Sequence, residues 1–96
     1  MISTEKIIKR QKLRRDILEK CYEILHSAEK PFTTTEALVG TKEELYKDNE
    51  HHKAFHYLMS KDLIHISSSG GKPEELCVFI TAHGIDFVES FYIKQN

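Results

Sequence analysis

Ninety-six residues, 40% hydrophobic and 30% charged, suffice for one small core, and no apolar run approaches the roughly 20 residues needed to cross a bilayer. The net charge of −1 hides an asymmetry: residues 1–15 hold six basic side chains (Lys6, Lys9, Arg10, Lys12, Arg14, Arg15) against Glu5, so this segment is five positive and the remainder six negative. The segment has no apolar stretch of the secretory kind, so a cytoplasmic chain is expected, with Cys21 and Cys77 as reduced thiols among apolar neighbours rather than a disulfide.

Residues 5–27 read as a helix, because Ile17, Cys21, Ile24 and Ala28 recur at helical spacing with Leu18 and Leu25 beside them. Followed backward, the same stripe meets Arg14, Arg10 and Ile7. The buried face is therefore expected to stop near Ile17, leaving residues 1–15 as a basic arm, a helix extension or part of a subunit contact. Lys30-Pro31 ends the helix, since the residue before proline disfavours helical dihedrals.

Thr33-Thr34-Thr35-Glu36 offers a capping box for a short helix over 34–39, closed by Gly40. The Thr41-Lys42-Glu43-Glu44 run repeats the pattern and opens a longer helix to about residue 60, continuous or broken near Asp48-Asn49. Its core face is read as His51, Ala54, Phe55, Leu58 and Asp62. Residues 63–67 are a strand signal, 68–74 a turn rich in Ser, Gly and Pro, and 76–80 a returning strand. Thr81 caps a last helix over 82–94 whose apolar face is wide. The expected fold is α+β and mostly helical, one domain over 1–96.

Three stretches resemble winged helix-turn-helix proteins. Phe55-x-x-Leu58-x-x-x-x-Leu63-Ile64 resembles the passage from recognition helix into first wing strand, and Gly70-Gly71-Lys72-Pro73 resembles a wing tip. Ile80-Thr81-Ala82-His83-Gly84, continuing to Glu89, resembles the Leu-Thr-x-x-Gly junction that follows the wing in many bacterial and phage regulators. The resemblance covers residues from about 14 to 94. It implies three helices, a two-stranded wing hairpin and a carboxyl-terminal helix. It also implies a transcription regulator that binds double-stranded DNA as a homodimer, as MarR-like and PadR-like repressors do through their terminal helices. The family includes winged domains that bind only proteins, so an interaction adaptor without DNA binding is the alternative.

The third helix departs from the usual basic pattern, with four lysines and five acids between Thr41 and Asp62. A helix shows one face, however. At about 100° per residue, the side opposite Leu58 collects Asn49, His52, Lys53, His56 and Ser60, none of them acidic. These types suit base edges and phosphates. Lys72 suits a backbone contact from the wing, and Arg10, Arg14 and Arg15 could clamp phosphates from the first helix. The competing interpretations are a solvated lysine on a turn and a charged face or salt bridges to another subunit. Ile85, Phe87, Val88, Phe91 and Tyr92 are the expected dimer contact.

Six histidines raise metal binding, and His52 and His56 are four apart, as two ligands on one helix should be. There is no evident third ligand, no His-Glu-x-x-His and no finger-type cysteine pair, so no metal or other cofactor is expected. His51, His65 and His83 are read as hydrogen-bonded interior or boundary residues. With no phosphate loop or nucleophile elbow, catalysis is not expected.

Overall fold

The computed structural model describes residues 1–27, 29–40, 50–67 and 76–93. The chain begins with helix α1, Thr4–Ser27, whose Ile17, Leu18 and Cys21 are buried. Strand β1 (Phe32–Thr34) leads directly into helix α2 (Thr35–Val39), and helix α3 is described from Glu50 to Ser60. Strands β2 (Ile64–Ser67) and β3 (Cys77–Ile80) precede helix α4, Ala82–Glu89. This is a mostly helical α+β arrangement, and no helix is long and apolar enough to cross a membrane among the described residues.

The strands form one antiparallel sheet in the order β1-β3-β2. Phe32 stands opposite Phe79 on one side of β3, and Ile64 opposite Ile80 on the other. Strand β1 was not expected from the sequence. Three residues are too few to show alternation, but the cap of α2 requires extended backbone at Thr34 (φ −106°, ψ 159°), and β3 has an edge to receive it. The pairing continues one step further, where the Thr35 N–H donates to the Leu76 carbonyl at 3.1 Å. The Phe32 and Phe79 rings meet across the pair at 5.0 Å.

The cap itself differs from the expected box. Thr34 rather than Thr33 is the N-cap, its hydroxyl accepting from the Ala37 N–H at 3.2 Å, and α2 starts one residue later than expected. Gly40 closes the helix at φ 114°, a conformation that favours glycine, with its N–H donating to the Glu36 carbonyl.

One core joins the elements. Leu18 from α1, Leu58 from α3 and Val78 from β3 are its fully buried side chains, flanked by Ile17, Cys21, Leu38, Ala54, Phe55, Leu63, Ile64 and Val88. Truncating a leucine so enclosed costs about 2–5 kcal/mol. Asp62, expected on the core face, is instead exposed and takes φ 59°. It terminates α3: the Leu63 N–H donates to the Leu58 carbonyl at 2.9 Å and the Asp62 N–H to the Met59 carbonyl at 2.9 Å, a Schellman closure in which an aspartate takes the left-handed place usually given to glycine.

Helix α4 then begins close against the turn that follows α3. A Cβ on Gly84 would lie 2.2 Å from the Leu63 carbonyl oxygen and 2.8 Å from Ile80 Cγ1, so only glycine permits this approach. The helix is shorter than the expected 82–94. After Glu89 the chain tightens into turns, with the Phe91 N–H on the Val88 carbonyl at 3.0 Å and those of Tyr92 and Ile93 on the Glu89 carbonyl. The run Phe91-Tyr92-Ile93 combines residues of modest helix propensity, consistent with that early stop.

Candidate nucleic-acid interface

Helix α3 turns Ala54, Phe55 and Leu58 inward, which leaves Lys53, His56 and Ser60 exposed and His52 half-buried. The Ser60 hydroxyl donates to the His56 carbonyl at 2.8 Å, a bond within the helix that leaves its oxygen as an outward acceptor. Asn49, Lys72 and the wing tip lie outside the described residues. His65 and His83, expected in interior or boundary positions, are exposed: His65 alternates outward in β2 beside buried Ile64, and His83 sits on the outer first turn of α4.

Helix α1 carries its basic half to the start of α3. The Arg10 guanidinium grips Glu50 at two points, Nε to Oε2 at 3.2 Å and Nη2 to Oε1 at 3.3 Å, and the Lys53 ammonium lies 4.0 Å from the same carboxylate. The Arg10 hydrogen bond holds the Glu50 carboxyl below its ordinary range, helped by the charges of Arg10, Lys53 and Arg14 and opposed by burial. Glu50, which opens the described part of α3, is therefore compensated in place. Lys6, Lys9, Arg10 and Leu13 line a shallow recess with Glu50, so the exposed Lys6 and Lys9 stand beside the carboxylate that Lys53 also approaches. Lys12 faces elsewhere and pairs with Asp16 at 2.8 Å.

The three arginines of the expected clamp do not act together. Arg14 lies over the Tyr57 ring at 3.9 Å, while Arg15 lies over the Phe91 ring at 4.4 Å and 3.6 Å from the Glu19 carboxylate. The Tyr92 hydroxyl, hydrogen-bonded to Arg15, is the main influence raising the Arg15 pKa. Both arginines line a groove of about 500 Å³ between α1, the end of α3 and α4, a feature the sequence did not announce. Periodicity tells which residues share a helix face; it does not tell which faces meet.

The expected dimer residues divide as well. Val88 is 2% exposed and belongs to the core, because α4 packs that side against the rest of the protein, so it is not available to a second copy. Ile85 and Phe91 are half-buried, whereas Phe87 and Tyr92 are 47% and 69% exposed. Tyr92 also donates its hydroxyl to Glu19, and Tyr22 donates to Glu89 at 2.8 Å, which ties α1 to the end of α4. The Glu89 hydrogen bond is the first cause of a raised Tyr22 pKa. Among the described residues no three His, Cys, Asp or Glu side chains gather as a metal site would require.

Comparison with protein-family models, with curated proteins and with solved structures finds no match to this chain.

Proposed function

We propose that this protein is a winged helix-turn-helix transcription regulator that binds double-stranded DNA, with α3 in the major groove and the basic half of α1 along the backbone. The observation that carries this is the Arg10–Glu50 pair. It joins two helices so that Lys6, Lys9 and Lys53 gather around one carboxylate that Arg10 already compensates, with His56 further along the exposed side of α3. The element order and the β2–β3 hairpin support the same fold assignment, although fold alone never fixes function. Lysines at the rim position the protein on phosphates, and Lys53, His56 and Ser60 supply donors and acceptors for base edges. In this proposal two copies pair through the exposed Tyr92 and Ile93 at the end of α4 and read two half-sites.

The test is binding of a labelled duplex as salt is varied. Affinity that falls linearly in log salt, and falls further in a Lys53→Glu variant, supports the proposal. The second interpretation, a protein adaptor without DNA binding, is favoured by one observation: Arg14 and Arg15 are committed to aromatic rings in a groove rather than to an outward phosphate clamp. Salt-insensitive behaviour with no duplex affinity would favour it.

A further inference from the structure

The groove between α1, α3 and α4 has an apolar floor and a rim of one sign. Leu18, Leu58 and Leu63 form the bottom, and the Phe87 and Phe91 rings, edge to face at 5.0 Å, form one wall. Its charged lining consists of Arg14, Arg15 and Lys61, with the titratable His83 beside them and no carboxylate among the lining residues. Arg14 and Lys61 both lie over the Tyr57 ring, at 3.9 and 5.9 Å, and among the described residues neither stands within ion-pair distance of a carboxylate. A guanidinium stacked on a ring spends its flat face there and keeps its N–H edge for a planar anion.

We infer that this groove docks an acidic, amphipathic segment of a partner protein, its apolar side chains on the Phe87–Phe91 wall and its carboxylates on Arg14 and Lys61. Charge complementarity selects that occupant. A nucleic-acid backbone would satisfy the cations and leave the apolar floor uncovered. A second copy of this chain is a poorer match, because two of the three acids in its own neighbouring recess are already engaged: Glu19 with Arg15 and the Tyr92 hydroxyl, and Glu89 with the Tyr22 hydroxyl. That leaves Glu23 as a single carboxylate for Arg14 and Lys61. The docking does not depend on DNA binding, so either can fail without the other.

Selection of a random peptide library against the full chain tests this. Enriched peptides should combine Asp or Glu with Leu or Phe at helical spacing. A synthetic copy of the best should bind about tenfold more weakly to Lys61→Glu and to Phe87→Ser, and unchanged to Lys20→Glu, a charge reversal outside the groove. Circular dichroism checks that each variant is folded. No enrichment, enrichment of peptides without acids, or equal affinity for the groove variants overturns the inference. So does a wild-type dimer in sedimentation that Phe87→Ser converts to monomer, since the groove would then be a contact between copies.

Discussion

The Thr81 hydroxyl donates to the Asp62 carbonyl at 2.6 Å and accepts from the Gly84 N–H at 3.0 Å, so one side chain both closes the end of α3 and caps the start of α4. The Thr81 N–H adds a third bond, to the Leu63 carbonyl at 3.1 Å. Phe87 of α4 and Phe91 just after it line the groove on one side and Tyr57 of α3 and Lys61 just after it on the other, so this residue stands at the junction between its two walls.

Replacing Thr81 by valine keeps the shape and removes both hydroxyl bonds. The expected loss is about 1–2 kcal/mol of unfolding free energy, with Thr81→Ser close to wild type. Urea titration of the three proteins checks it. A valine variant as stable as the parent would mean that the geometry of the junction is set by packing alone.

Cys21 gives a prediction in pH. Burial pushes its thiol up to about 11 from an ordinary value of 9.0, with only a small opposing effect from Lys20. In the unfolded chain the thiol ionises first, so the folded state binds the extra proton between these two values. Stability from this group is present below the ordinary value and is lost as pH rises toward the raised one. Cys21→Ala should therefore flatten the alkaline fall of unfolding free energy, whatever it does to stability at neutral pH. An unchanged slope would place the alkaline sensitivity elsewhere.

The Arg10–Glu50 pair makes its own prediction for the interface. In the proposed complex with DNA, Glu50→Gln would remove the acid that Arg10 grips and release Arg10 toward the phosphates. Duplex affinity should rise several-fold at low salt, and the slope of log affinity against log salt should steepen by about one phosphate contact. Weaker binding in Glu50→Gln would show that the pair serves to orient Arg10 rather than to mask it.

Local signals were the legible ones. Ile17 and Cys21 fell inside as their helical spacing required, and the hairpin strands and the Thr81 cap stand where residue chemistry placed them. What escaped was nonlocal or very short. Strand β1 exists because β3 offers it an edge, and Val88 is buried because α4 lies flat on the core; neither fact is written in the neighbouring residues. The three arginines look alike in the chain, yet Arg10 meets a carboxylate on α3 while Arg14 and Arg15 meet aromatic rings. Asp62 took the left-handed cap that the sequence would more readily assign to glycine, so a core periodicity ran one step too far.

The most direct measurement is fluorescence anisotropy of a labelled duplex titrated with wild type and Lys53→Glu at several salt concentrations. DNA binding through α3 and the basic half of α1 predicts wild-type affinity that declines along a straight line in log salt. It also predicts weaker binding by the variant at every salt concentration, since a carboxylate would then face the DNA groove. No binding at low salt, or identical curves for the two proteins, would contradict it.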